Sequence, residues 1–216
     1  FLVEVDAVGG VATIGNRGDA PAATPATVPA NPAGPQSRPT APAPKLAKAD
    51  DRKIAEWALS IPGSKVQHFN SSGTWASEIT STAKLPQGEF KLAKVQLADG
   101  SKAMEADLLQ VAALERLEAL SIESNAFNCA TPALIAALAR APGFRELKIK
   151  GSNLEDADFA PLAAKKMTRF MVDECPRFTG AALAYFTDDP LRELNLKNSP
   201  VTEQTFEHVL QMKNLE

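Results

Sequence analysis

Leu191-Arg-Glu-Leu-Asn-Leu-Lys-Asn-Ser-Pro-Val-Thr202 is the stretch of sequence that decides the fold. Its large apolar residues lie at positions one, four, six and eleven, and position nine carries the small polar residue Ser199. Side chains of a β-strand alternate between its two faces, so positions four and six point to the same side of a short strand. Threonine, which ends the stretch, is a residue type preferred at the start of a helix. The stretch therefore predicts a short strand, a turn and a helix.

The same spacing occurs four times upstream. Positions one, four, six, nine and, where it is apolar, eleven are occupied by Leu92, Val95, Leu97 and Gly100; by Leu117, Leu120, Ile122, Asn125 and Phe127; by Phe144, Leu147, Ile149, Ser152 and Leu154; and by Met167, Phe170, Val172 and Cys175. Leu215 begins a sixth copy, and successive copies start 25, 27, 23, 24 and 24 residues apart. A fixed period of this length with this apolar pattern is typical of leucine-rich repeats.

We therefore predict an α/β fold in which residues 91–216 form a leucine-rich-repeat solenoid. Short parallel strands would line its concave face and helices its convex face, in about five repeats plus the truncated start of a sixth. Position nine turns the chain and needs a group that satisfies backbone amides of the stack. Thr131, Thr179 and Thr202 precede the helical segments that would return the chain, and each is a predicted N-cap.

Three further segments precede the repeats. Residues 1–18 hold two short apolar runs around Val8-Gly9-Gly10, which predict a short hairpin or a fragment of an upstream domain. Residues 19–48 are predicted to be a disordered Pro/Ala-rich linker, since eight of the 25 residues from Ala20 to Pro44 are proline and eight are alanine. Residues 49–90 are predicted to form an N-terminal cap, with a helix that begins near Asp50-Asp51 and ends before Pro62-Gly63. The first residue is not methionine, so we interpret the chain as an excerpt of a longer protein.

The repeats resemble those of a known family. Residues 144–166 and 191–214 are similar to bacterial leucine-rich repeats of the cysteine-containing kind, and residues 55–63 with 85–90 resemble the cap that precedes such repeats in planctomycete-type proteins. The family pattern often has Asp at the position of Glu203 and usually has Val at that of Ala58. Some members carry a serine/threonine kinase and a membrane segment upstream. The resemblance therefore implies a bacterial protein, which would be extracytoplasmic if an upstream membrane segment tethers it; the compartment itself is not assigned.

Charge and residue chemistry limit the function. Lys plus Arg total 23 against 26 for Asp plus Glu, and a net charge of -3 supplies no basic field for nucleic acid. The sequence has no apolar run of roughly 20 residues, so we predict no membrane contact by this part of the protein. His68 and His208 stand alone, and Cys129 and Cys175 do not form a CxxC pair. We predict no catalytic residue, no cofactor and no metal, and therefore no enzyme.

The predicted binding surface is the strand face of the solenoid. Its candidate residues are Lys94, Gln96, Glu123, Lys148, Lys150, Arg169, Met171, Asp173, Asn195 and Lys197. Charges alternate down adjacent strands, at position seven in Glu123, Lys150, Asp173 and Lys197, and at position three in Glu146, Arg169 and Glu193. These columns either hold strand register and solubility or present a mixed-charge surface to a polar partner.

The function that follows is protein–protein interaction or scaffolding, with another protein as the partner. The alternative is a sensor or stalk region, outside the cytoplasm, of a larger membrane-bound receptor of the serine/threonine kinase type. That alternative depends on the family resemblance, because no kinase signature occurs in the sequence itself.

Overall fold

The structure is a computed structural model, and it describes residues 49–123 and 130–216. The predicted hairpin of residues 1–18 and the predicted linker of residues 19–48 lie outside the described residues. Asn125, Phe127 and Cys129 also lie outside them.

The first described helix, α1, spans Asp51–Ser60. The Asp50 carboxylate caps it by accepting hydrogen bonds from the backbone N–H groups of Arg52 at 3.0 Å and Lys53 at 3.2 Å. Ile54 and Ala58 are buried on the face that packs on the sheet. The helix ends before Pro62-Gly63, as the sequence predicts, and Gly63 turns the chain with a φ of 81° that favours glycine.

Six strands form one sheet in the order of the chain. They are β1 (Lys65–His68), β2 (Leu92–Leu97), β3 (Ala119–Glu123), β4 (Glu146–Lys150), β5 (Arg169–Asp173) and β6 (Glu193–Asn195). β1 is antiparallel to β2, and every later neighbouring pair is parallel. The protein is thus an α/β fold with a mostly parallel six-stranded sheet.

The register places equal positions of the sequence pattern side by side. Val95, Leu120, Leu147, Phe170 and Leu194 of position four are paired across neighbouring strands. At position two, one backbone hydrogen bond recurs: Glu118 donates to Ala93, Arg145 to Glu118, Thr168 to Arg145, Arg192 to Thr168 and Glu216 to Arg192, at 2.8, 2.9, 2.8, 2.9 and 3.0 Å. The unequal gaps between copies are therefore absorbed in the connections and leave the strands in register.

The connections between the parallel strands form a second layer. It contains α2 (Glu105–Ala112), α3 (Pro132–Leu138), two 3-10 helices (Asp156–Ala164 and Ala181–Tyr185) and α4 (Glu203–Gln211), which follows β6. Each of these helices contacts the next in chain order. Apolar residues of strands and helices pack between the two layers in one core.

The predicted N-caps differ in outcome. The Thr131 hydroxyl accepts a hydrogen bond from Leu134 N–H at 3.2 Å and caps α3, as predicted. At the second site the prediction is wrong, because Gly180 is the N-cap residue and has a φ of 89°. Thr179 instead donates both its N–H and its hydroxyl to Asp156, at 2.9 and 2.8 Å. At the start of α4, Thr205 provides the hydroxyl that accepts from Thr202 N–H at 3.1 Å.

Three buried aspartates satisfy backbone donors between the repeating units. Asp51 accepts from Leu92 N–H at 2.8 Å and Asp189 from Met167 N–H at 3.0 Å. Asp156 also accepts from Ala182 N–H at 2.9 Å, in addition to the two bonds from Thr179. Burial raises the pKa of Asp189, against the opposing effects of Met167 N–H and the ammonium of Lys166. These carboxylates connect helices and strands that are far apart in sequence.

Candidate functional site on the open face of the sheet

One side of the sheet carries mostly polar side chains, and we call it the open face. It consists of three rows that cross the strands: Lys94, Ala119, Glu146, Arg169 and Glu193; Gln96, Ser121, Lys148, Met171 and Asn195; and Glu123, Lys150 and Asp173. In β4 and β5 these residues are half-buried, whereas the residues between them are fully buried in the core. Strand alternation therefore brings nine of the ten predicted site residues together; the tenth, Lys197, lies in the turn after β6.

Arg169 is the charged centre of the first row. Its Nη1 lies 3.2 Å from Glu146 Oε2, and its Nη2 forms a close ion pair with Glu193. The hydrogen bond to Glu193 is the main reason that the pKa of Arg169 is raised. The position-three column therefore forms the alternating ion pairs that the sequence predicts.

The position-seven column behaves differently. Lys150 pairs with Glu174 at 3.4 Å instead of with Asp173, and Glu123 pairs with Lys148 at 2.7 Å. Position seven is the last residue of each strand, and Glu174 follows β5 with a left-handed φ of 51°. The prediction of a straight charge ladder at position seven is therefore wrong, because these cations pair with carboxylates outside their own row.

A depression of about 270 Å³ lies in the middle of the open face. Its floor includes Ala119 and Ser121 of β3, where neighbouring strands carry long side chains. Its other polar walls come from Lys94, Gln96, Glu146, Lys148, Arg169 and Glu193. The shape follows from residue size, since two short side chains among long ones leave a concave surface.

Two hydrogen-bond donors at this depression have no acceptor among residues 49–123 and 130–216. They are the Ser121 hydroxyl and the Nε–H of Arg169, both buried from solvent. Ser121 is only 5% exposed. Buried polar groups in proteins nearly always have a partner, so two such groups at one depression are unusual and point to a ligand as the missing acceptor.

Trp75 lies beside the depression. Its indole N–H donates to Glu118 Oε2 at 2.7 Å, and the same carboxylate oxygen lies 2.6 Å from Arg145 Nη2. Lys94 Nζ and Arg145 Cζ lie 5.7 and 5.5 Å from the centre of the indole ring, within cation–π range. The Asn70 side chain holds the turn before Trp75 by accepting from the N–H groups of Ser72 and Thr74.

The sequence analysis missed both Ser121 and Trp75. The available signal for Ser121 was the pair of short residues at positions three and five of the second copy, where the other copies carry larger side chains. Trp75 lies in a polar segment without periodicity, and its position depends on the turn at Asn70 and on Glu118, which is 43 residues away. No sequence pattern indicated that contact.

Two findings concern other classes of site. Within residues 49–123 and 130–216, no helix is long and apolar enough to cross a membrane. The same residues contain no group of three or more His, Cys, Asp or Glu side chains that could hold a metal ion. Comparison of the chain with models of known protein families and with curated proteins found no match in either.

Proposed function

We propose that the protein is a leucine-rich-repeat interaction module that binds another protein on the open face. The alignment of equal positions in the strands supports the repeat interpretation. The recurrent position-two hydrogen bond supports it too, because each unit repeats the contact of the preceding unit. The contacts of successive helices in chain order agree with stacked units.

The observation that carries the binding role is the depression with its two unpartnered donors. The surface around it is polar and half-exposed, with the apolar Met171 among charged neighbours. Mixed polar surfaces of this kind with a central apolar residue are suited to protein partners. The backbone under the surface is hydrogen-bonded on both sides of β3, β4 and β5, so binding would require little ordering of the main chain.

We propose binding without catalysis. The cations of the open face are mainly paired with neighbouring carboxylates, as in the contacts of Arg169 with Glu146 and Glu193. Such ion pairs suit recognition and register more directly than proton transfer. The alternative of a receptor stalk rests on the family resemblance; a kinase domain and a hydrophobic span encoded upstream of Phe1 would favour it.

A pair of matched double variants tests the proposal. Met171→Arg with Asn195→Arg places two cations on the open face, and Leu210→Arg with Gln204→Arg makes the same types of change on exposed positions of α4. Each immobilised protein is incubated with a lysate of the source cells, and retained proteins are cross-linked and identified by mass spectrometry. We expect the α4 variant to retain the same partner as the unmodified chain, cross-linked to the open face, and the open-face variant to lose it. Equal retention by both variants would contradict the proposal.

A further inference from the structure

The strongest unexplained feature is the set of unsatisfied donors around Ala119 and Ser121. Lys94, on the neighbouring strand, adds a third: among the described parts of the chain its ammonium contacts the Trp75 ring but has no carboxylate partner. Lys94 is paired with Ala119, and Ser121 lies two residues further along β3. Diagonal neighbours of this kind are roughly 7–8 Å apart, which a lysine side chain can span. The Lys94 ammonium and the Ser121 hydroxyl can therefore approach one bound group.

We infer that the depression binds the carboxylate of an aspartate or glutamate side chain of the protein partner; this inference rests on the proposed function. The Lys94 ammonium supplies the counter-charge, and the Ser121 hydroxyl donates to a carboxylate oxygen. The Nε–H of Arg169 lies further along the row, beyond Glu146, and donates to a second acceptor, a backbone carbonyl of the same segment.

The charges around the depression select a monoanion. Glu146 and Glu193 lie at its wall and neutralise Arg169, which leaves Lys94 as the cation with no carboxylate partner in the described residues. A phosphate dianion would be repelled by these two carboxylates and would find only one such ammonium. A cation would meet donors at Lys94 and Ser121, which offers it no favourable contact there.

The volume of the depression also limits the ligand. At about 270 Å³ it lies below the roughly 300–1,000 Å³ of pockets that bury a drug-sized molecule. One acidic side chain with part of its backbone fits such a space. The side chains that flank Ser121 in its row are those of Gln96 and Lys148, both long and flexible, so they can move aside when the carboxylate reaches the hydroxyl.

Trp75 provides a direct readout. In the free protein the Lys94 ammonium lies over the Trp75 ring, and the indole N–H is bonded to Glu118. A carboxylate that attracts Lys94 changes the electrostatic environment of the ring. The chain has two tryptophans, and the other, Trp57, lies on α1, so the two indole N–H signals can be followed separately.

The test is a titration of the ¹⁵N-labelled full chain with the peptide acetyl-Gly-Asp-Gly-amide, monitored by NMR. We expect saturable shifts of the Trp75 indole signal and of the backbone amides of Gln96 and Ser121. The matched peptide acetyl-Gly-Asn-Gly-amide has the same shape without the charge, and we expect it to cause no saturable shift. Equal binding of both peptides, or no saturable shift at these residues with the aspartate peptide, would overturn the inference.

Variants locate the site. Lys94→Met should weaken binding of the aspartate peptide by about fivefold or more, Lys94→Arg should restore most of it, and Ser121→Ala should weaken it by about threefold or more. Lys53→Met is the control, because Lys53 is an exposed lysine on α1 with 83% of its side chain accessible. Unchanged affinity in both Lys94→Met and Ser121→Ala would also overturn the inference.

Ser121→Ala separates binding from folding. Its hydroxyl has no protein acceptor in the described residues, so its removal should leave the melting temperature unchanged or slightly raised. The peptide titration needs no natural partner and thus fails independently of the lysate experiment. Partner capture on the open face without carboxylate binding would preserve the proposed function and reject only the ligand chemistry.

Discussion

The two sides of the same strands have different chemistry and different tasks. In β5, Phe170 and Val172 are fully buried in the core, whereas Arg169, Met171 and Asp173 between them are half-buried on the open face. Residues adjacent in sequence therefore belong to different environments. The core face determines whether the sheet forms, and the open face can change its side chains with a smaller effect on stability.

The largest expected effect is on the core face. Phe170→Ala removes a ring whose centre lies 5.3 Å from that of Phe159 and 4.8 Å from that of Phe186. We expect a loss of about 3–5 kcal/mol in the free energy of unfolding, because the close-packed core cannot collapse around the cavity. Denaturant titration measures it. Met171→Ala, at the next residue, is the control and should cost less than about 1.5 kcal/mol; similar losses at both positions would erase the distinction between the faces.

A second prediction tests the buried carboxylates that support the core. Asp156→Ala leaves the N–H and hydroxyl of Thr179 and the N–H of Ala182 without their acceptor. We expect a loss of about 2–3 kcal/mol in the free energy of unfolding, since unsatisfied buried donors are costly. Asp173→Ala removes a half-buried carboxylate from the open face and should cost less than about 1 kcal/mol. If Asp173→Ala proved the more costly change, the assignment of Asp156 as a structural carboxylate would be wrong.

The pH dependence of Asp189 gives a third test. Burial raises its pKa in the folded protein, so the folded state binds this proton more tightly than the unfolded chain does. Its contribution to stability is greatest below the unfolded pKa and falls as pH rises through the folded pKa. Asp189→Asn removes the ionisation and keeps an oxygen for Met167 N–H, with Lys166 and Asp188 unchanged nearby.

The free energies of unfolding of the unmodified protein and of Asp189→Asn are compared at several pH values between 3 and 7. We expect the variant to gain stability relative to the unmodified protein as pH rises from acidic towards neutral. A difference that is constant with pH, or that moves in the other direction, would mean that neighbouring charges outweigh burial at this carboxylate.

The smallest effect is expected at the ion pairs of the open face. Arg169→Met removes the contacts with Glu146 and Glu193, but a third of the arginine side chain is accessible and the pairs are partly screened. We expect a loss of about 1 kcal/mol or less in the free energy of unfolding, smaller again at high salt. Unfolding at low and high salt concentration measures this. A loss as large as that of Phe170→Ala would show that the open face also holds the fold together.

The strands and their register were predictable from the sequence because they depend on large apolar residues at a fixed spacing. Leu147 and Ile149 or Phe170 and Val172 would expose their side chains if the register slipped by one residue. The return segments were less predictable: the segments at Asp156 and Ala181 are 3-10 helices, and Asp156 replaces the expected cap at Thr179. That contact joins residues 23 apart, so local preference does not reveal it.

The site was predictable as a face but not as a depression. Strand alternation alone places Lys94, Lys148 and Arg169 on the same side. The concavity requires knowing that Ala119 and Ser121 lie between longer neighbours, and the free ammonium of Lys94 depends on the position of Trp75. Pairings at strand ends depend on side-chain reach as well as on row, which is why Lys150 contacts Glu174.

The reversed direction of β1 affects how copies of the chain could polymerise. A parallel edge offers evenly spaced, slanted hydrogen bonds, whereas an antiparallel strand offers them in a different spacing. Outward from the sheet, Val66 of β1 already exchanges two backbone hydrogen bonds with Ile79, at 3.0 and 2.9 Å. A second molecule arriving with its parallel edge would find the wrong spacing and occupied groups. β1 therefore acts as a chain stopper, which prevents end-to-end growth of the sheet into a fibre at this edge.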